Sequence, residues 1–267
     1  MTIEYFLNNW KNTKEEDISF SEDEWMEISS YEYLPEDFIE KYENKVDWHC
    51  ISFFQNLSVQ LIERYKDKVD WYYISRYQML SEGFIKKYES KVNWNCISEC
   101  QSLSEEFIEK YENKVNWDYI SAFQKISEEF IEKHADKVDW RSISAFQKLS
   151  EEFIDKHIIK VDWEFVSGSQ KLSENFIIEH NSSVNWDIIS AQQILSAAFI
   201  FHNREKMSFY GCLKRFYLLR IHRITHHNLL KCDFTIYANS SYALPLIWGI
   251  GFNIKNIPSN IIFCQAL

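Results

Sequence analysis

An all-α solenoid of stacked two-helix repeats is the fold this sequence predicts, on three observations. A 23-residue unit recurs seven times from Leu34 to Ile194 without insertion or deletion, as in LSEEFIEKYENKVNWDYISAFQK at residues 103–125. A fixed period between about 20 and 50 residues marks a quasi-one-dimensional stack. Within that copy two helix-start signals occur, and neither Gly nor Pro is present. Apolar residues then repeat as columns: Trp25, Trp48, Trp71, Trp94, Trp117, Trp140, Trp163 and Trp186; Ile39 to Ile177; Val46 to Val184; and Phe38 to Phe176, with Leu61 in the Phe column. These columns read as core positions.

The elements of one repeat follow from residues 103–125. Ser104 ahead of Glu105 and Glu106 is an N-cap with two carboxylates in the positive first turn of a helix. Leu103 before the cap and Ile108 after it have the spacing of a hydrophobic staple. The first helix is expected to run to about Asn113 or Lys114. Val115, Asn116 and Ile120 repeat the device, so a second helix is expected from Trp117 to about Gln124. Helices of this length, about nine residues each, are below the roughly 12–15 residues at which isolated helices become even marginal in water. Stacking must stabilise them.

Residues 1–33 read as an N-terminal cap containing a degenerate half repeat. Trp25, Ile28 and Ser29 stay in register with Trp48, Ile51 and Ser52, while KNTKEEDISFSED has lost its apolar positions. A polar, atypical terminal unit suits a solenoid end facing water. Residues 195–209 start an eighth copy with Leu195, Ser196, Phe199 and Ile200, which decays at Lys206-Met207-Ser208-Phe209. The repeats and their ends read as one elongated domain over 1–209. Residues 210–267 form a non-repeat basic and apolar tail, with Lys214, Arg215, Arg220, Arg223, Lys231 and Lys255 against Asp233 alone. Three readings of this tail stay open: a diverged C-terminal cap, a segment that docks on a partner or membrane surface, and frameshifted sequence.

The combined pattern LSEEFIEKY–KVNW–IS–Q, over about residues 25–209, resembles the short helical repeat proteins encoded in many copies by giant, mimivirus-like DNA viruses. The resemblance implies a viral repeat protein in the cytoplasm of an infected host cell. It brings no catalytic residues to carry over.

Charge and composition narrow the classes further. The formal net charge is −11, and because the tail is basic, residues 1–209 carry −16. That field disfavours nucleic acid and anionic membrane surfaces. No run of 18 apolar residues occurs and residues 1–10 lack a secretory pattern, so an intracellular location without a membrane span is expected. The six Cys have no framework spacing, which agrees with a reducing compartment.

Candidate chemistry is sparse. His134, His157 and His180 share a column with Tyr42, Tyr65, Tyr88 and Tyr111, and packed helices lie too far apart, at about 8–10 Å, for neighbours to share a metal easily. They read as amphipathic replacements for Tyr at a half-exposed position. Ser52 to Ser190 and Gln55 to Gln193 form complete columns, whereas a nucleophile occurs once, beside a base. They read as structural, with Ser at a close helix crossing and Gln bonding the backbone of an adjoining corner. Cys96 and Cys100 share a helix face and read as small packed side chains. His222, Arg223, His226 and His227, with Arg215 and Arg220, make a basic cluster with no surrounding nucleic-acid motif. No catalytic residue, cofactor or metal site is assigned.

The remaining signal is where the repeats differ. Second-helix positions four apart are His49 and Phe53, Tyr72 and Arg76, Asn95 and Glu99, Asp118 and Ala122, Arg141 and Ala145, Glu164 and Gly168, and Asp187 and Ala191. Variable positions on a regular scaffold either bind a partner or drift in solvent. The first copies gather hot-spot residue types, so His49, Phe53, Tyr72 and Arg76 are the candidate partner-binding residues. The function expected is a non-enzymatic scaffold for an unknown protein partner. The alternative is a structural component that self-associates.

Overall fold

The computed structural model describes residues 1–208, and the tail with its basic cluster lies outside them. The described residues form 17 α-helices and one 3-10 turn, without a strand among them. They fall into two compact units, residues 1–147 and the residues from 148 onward. The first unit opens with α1 (Ile3–Asn9) and α2 (Glu22–Ser29). Four helix pairs and a fifth follow: α3 and α4 (Glu36–Lys41, Trp48–Phe54), α5 and α6 (Val59–Arg64, Trp71–Tyr77), α7 and α8 (Glu82–Lys87, Trp94–Cys100), α9 and α10 (Glu105–Lys110, Trp117–Phe123), α11 and α12 (Glu128–Lys133, Trp140–Phe146). The second unit holds α13 and α14 (Glu151–Lys156, Trp163–Ser169), α15 and α16 (Glu174–Glu179, Trp186–Gln192), and α17 (Ala197–His202). The fold is an α-solenoid of stacked two-helix repeats. In the first unit α2, α4, α6, α8, α10 and α12 each pack on the next, and in the second α14 packs on α16.

Caps start the helices where the sequence predicts them. The Ser104 hydroxyl accepts the Phe107 N–H at 3.2 Å, and the Asn116 amide oxygen accepts the N–H groups of Asp118 and Tyr119. Leu103, Ile108, Val115 and Ile120 are all buried, as stapled residues should be.

Three polar columns tie one repeat to the next. The Ser121 hydroxyl donates to the Trp117 carbonyl at 2.7 Å and accepts the Asp139 N–H at 3.0 Å. The buried Gln124 amide donates to the carbonyls of Ser98 and Gln101 at 2.8 and 2.7 Å, and its oxygen accepts the Leu103 N–H at 3.0 Å. At each corner the backbone is extended, so these groups have no helical partner and the Gln side chain supplies one. Glu105 completes the set by accepting the Ser127 N–H at 2.5 Å. The second unit repeats the scheme, with Gln193 on Ser167, Gln170 and Leu172, and Asn185 on Ser167.

Several expectations need correction. First helices are six residues long and end at Lys110 and its equivalents, short of Asn113 or Lys114. The chain makes a separate turn instead, in which the Lys114 and Val115 N–H groups both reach the Tyr111 carbonyl, at 2.8 and 3.1 Å. Val115 has to bury while the next residue turns extended as a cap, and continued helix satisfies neither demand. Second helices are seven residues long and end at Phe123 with Gln124 as the C-cap, as expected.

The Trp column is not the centre of the core. Trp25 is buried, but Trp48 to Trp186 are half-buried. Each of these indoles donates to a carbonyl five residues back, as Trp117 does to Glu112 at 3.1 Å. A ring of the following repeat lies against one side: Trp71 meets Tyr88 at 5.0 Å and Trp117 meets His134 at 5.0 Å. A Lys ammonium lies over the ring as well, Lys114 over Trp94 at 5.5 Å and Lys137 over Trp117 at 5.6 Å. The centre belongs to Ile51, Ile74, Ile97, Ile120 and Ile143 with Ile39 to Ile131 of the first helices, all essentially inaccessible.

The Tyr and His column is half-buried at Tyr88, His157 and His180, as a half-exposed position should be, and buried at its other four members. Tyr42, Tyr65, Tyr111 and His134 are below 9% exposed, because the Trp of the preceding repeat covers them. Among the described residues no group of three His, Cys, Asp or Glu side chains is placed to hold a metal ion. Cys96 is buried as expected, but Cys100 is exposed, since it sits on the outer corner of α8.

Both ends differ from their sequence reading. The N-terminal cap is aromatic on its inner side, not simply polar: α1 inserts Phe6, fully buried, between Phe20, Trp25, Phe38 and Tyr42, with centroids 5.1–5.8 Å away. Trp10 packs on Phe38 at 5.3 Å, and its carbonyl accepts from Lys41 at 3.0 Å. At the other end the repeat geometry persists through the decayed sequence. Lys206 and Met207 make the usual turn on the Asn203 carbonyl, and the Ser208 N–H reaches the Ser190 hydroxyl at 3.1 Å.

Candidate functional site

Short caps and the Ser and Gln bonds hold the second helices in register, so each carries the same outward positions. On α4 and α6 these positions meet. Phe53 is the hub, with ring centroids 4.4 Å from Phe54, 4.9 Å from Tyr73 and 5.0 Å from Tyr77. His49 and Tyr72 both adjoin Tyr73, at 4.7 and 5.2 Å. Phe54, Tyr72 and Tyr77 are 51%, 46% and 51% exposed, and Met79 beside them 93%. A groove of about 280 Å³ opens between Phe54 and Tyr77, floored by Gln55 and Gln78.

Three of the four candidate residues therefore share one aromatic cluster: His49, Phe53 and Tyr72. His49 is additionally tied through Nδ1 to the Asp70 carboxylate at 3.0 Å. Arg76 is directed elsewhere. Its guanidinium makes a two-pronged contact with Glu99, at 2.8 and 3.2 Å, and lies 5.9 Å from the Tyr77 ring. The hydrogen bond Arg76 donates to Glu99, followed by the Glu99 charge, reinforces the protonated form of Arg76. A partner would have to displace Glu99 to use it.

Tyr73, Tyr77, Phe54 and Met79 lie in columns outside the variable pairs four apart, so the sequence reading does not include them. The signal was present: the dipeptides Phe53-Phe54 and Tyr72-Tyr73, followed by Tyr77, put more aromatic residues on two short helices than one buried stripe can take.

The other variable positions do not continue the cluster. Asn95 accepts from the Asn116 side chain at 3.0 Å, and Ala122 and Ala145 leave the face bare. Gly168 is accounted for by packing, since an added Cβ would lie 3.1 Å from a methyl of Ile188. Burial raises the Cys50 and Cys96 thiols above their ordinary range, which keeps them protonated and poor nucleophiles. No helix among the described residues is long and apolar enough to cross a membrane.

No family model, curated protein or solved structure matches this chain.

Proposed function

We propose that this chain is a non-enzymatic scaffold that binds a partner protein on its second-helix face, centred on residues 49–79. One observation carries the reading: five aromatic rings cluster, largely exposed, on two helices whose backbone is fixed by the inter-repeat bonds, with Met79 just beyond the second of them. Aromatic residues dominate binding hot spots. A rigid frame leaves little ordering to be lost on association. Phe53, Tyr72, Tyr73 and Tyr77 are the contact residues, with His49 beside them; Arg76 contributes by orienting Tyr77. The location in an infected host cell rests on the resemblance to giant-virus repeat proteins alone.

The test compares affinity capture by the wild type and by Phe53→Ala with Tyr73→Ala, at matched helicity. A protein retained by the wild type and lost by the variant supports the scaffold, with the contact weakened by about 2 kcal/mol or more. Ala122→Ser with Ala145→Ser is the silent control. Retention by all three proteins moves the site off this face. Concentration-dependent light scattering of the purified chain checks the competing role in self-association.

A further inference from the structure

One cation contact recurs along the repeats and is broken at a single Trp of the second unit. Lys68, Lys91, Lys114, Lys137 and Lys206 each hold an ammonium over the Trp that precedes them by 20 residues, at 5.0–5.9 Å from the ring. Four of these Lys also meet a carboxylate: Glu43 at 3.5 Å, Asp67 at 2.5 Å, Glu89 at 3.5 Å and Glu112 at 2.6 Å. Around Trp163 both partners are replaced. Ser183 stands where the Lys would be, and Ile158 and Ile159 stand where the carboxylates would be. The Trp163 indole donates to the Ile158 carbonyl at 3.2 Å, so this Ile adjoins the ring. Ile158 and Ile159 are 41% and 92% exposed. Among the described residues no ammonium or guanidinium lies over Trp163.

A second cation is replaced four residues before Ser183. Arg64, Lys87 and Lys133 pair with Glu40, Glu63 and Glu109 of the preceding repeat. Glu179 holds that place in α15, and the carboxylate it would meet is Asp155. Asp155 instead contacts His180 at 2.6 Å, and the His180 ring lies 5.0 Å from Trp163. Two positive charges are thus exchanged for a hydroxyl and a carboxylate around one open indole.

These exchanges select the occupant. An indole face takes a cation, exposed Ile takes apolar side chains, and Asp155 and Glu179 take positive charge. Residues 151–193 carry eight Asp and Glu against three Lys. The chain itself supplies a segment of matching chemistry. Residues 210–231, outside the described residues, hold five Lys and Arg and no Asp or Glu, with Lys214-Arg215 flanked by Leu213 and Phe216. The segment is also tethered nearby. The Ser208 N–H reaches the Ser190 hydroxyl of α16 at 3.1 Å, and α16 packs on α14, whose first residue is Trp163. Lys214 lies six residues beyond Ser208, a reach of about 20 Å, against about 8–10 Å between packed helices. Tethering sets an effective concentration on the order of millimolar, which favours this segment over a free one of the same chemistry.

We propose that residues 210–231 dock on this face of the second unit. Lys214 and Arg215 supply the two cations, over Trp163 and against Asp155 and Glu179, while Leu213 and Phe216 cover Ile158 and Ile159. The contact involves none of the residues 49–79, so it goes beyond the scaffold reading and does not depend on it.

The experiment is photo-crosslinking in the full chain, with p-benzoylphenylalanine in place of Ile159, whose exposure keeps the fold intact. Circular dichroism checks that. Mass spectrometry of the monomer band should place the crosslink within residues 210–231. The same probe in place of Asp136, one repeat earlier in the column, should give no such crosslink. Lys214→Glu with Arg215→Glu should lower the yield at position 159 about fivefold or more, through like-charge repulsion. Ser183→Lys with Ile158→Glu rebuilds the internal cation and its partner, and should lower it as far. Crosslinks between two copies, crosslinks only to other residues, no crosslink at all, an equal yield from position 136, or a yield unchanged in either variant overturns the proposal.

Discussion

At the scale of the residue, buried polarity and shape decide stability more than ring size does. Ile120 is inaccessible whereas Trp117 is half-buried, so Ile120→Ala should cost about 2–5 kcal/mol and Trp117→Ala less, in spite of the larger side chain removed. Urea unfolding of the two variants orders them. Gln124→Leu keeps most of the volume but strips partners from the carbonyls of Ser98 and Gln101 and the N–H of Leu103, at about 1–3 kcal/mol for each group left unsatisfied. It should therefore rival Ile120→Ala. Glu24 gives the pH-dependent case. The Ser21 N–H, then its hydroxyl, hold this carboxyl below its usual range through the capping box. A carboxyl depressed in the folded state stabilises above its unfolded pKa and loses that contribution as pH falls through the folded one. Glu24→Gln should lower the thermal midpoint at neutral pH and leave it unchanged under acid conditions below both values.

At the scale of the element, one repeat is a complete set of donors and acceptors at fixed offsets. Removing residues 103–125 brings Ser98 to the place of Ser121 and Gln101 to that of Gln124, so Asp139 and Gln147 find the partners they had before. The shortened chain should fold, with unchanged ellipticity per residue and one sharp transition for its first unit. Loss of cooperativity would mean that bonds beyond nearest neighbours hold the stack. This modularity was legible because it is local: Ser104 followed by Glu105, and Val115 followed by Asn116, specify their caps within four residues. The helix ends at Lys110 were not, because the turn on Tyr111 serves the burial of Val115, a tertiary demand. Nor was the half-exposure of the Trp column, which depends on a Tyr or His 17 residues later and a Lys 20 residues later. Of the binding face, His49, Phe53 and Tyr72 could be read from variation between copies. The engagement of Arg76 by Glu99 joins residues 23 apart on neighbouring repeats, so no local pattern carries it.

At the scale of the whole molecule, the opposing terms are net charge and contact pairs. Residues 1–209 carry −16, spread over stacked repeats; packed helices generally lie about 8–10 Å apart, close to the Debye length at physiological ionic strength, roughly 8 Å. Against that repulsion stand exposed pairs between neighbouring repeats: Lys87 with Glu63 at 2.7 Å, Lys91 with Asp67 at 2.5 Å, Lys133 with Glu109 at 2.7 Å and Lys137 with Glu112 at 2.6 Å. Each exposed pair is worth only about 0–1 kcal/mol. Their separations lie well inside the screening length, whereas the repulsion of a net −16 acts over longer distances. Added salt should therefore remove repulsion faster than attraction. The thermal midpoint should rise between about 10 mM and 300 mM sodium chloride, where the screening length shrinks from about 30 Å to below 8 Å. Lys91→Gln, which loses a contact and adds to the negative charge, should be more salt-stabilised than the wild type. A midpoint that falls with salt would place the pairs, not the repulsion, in control.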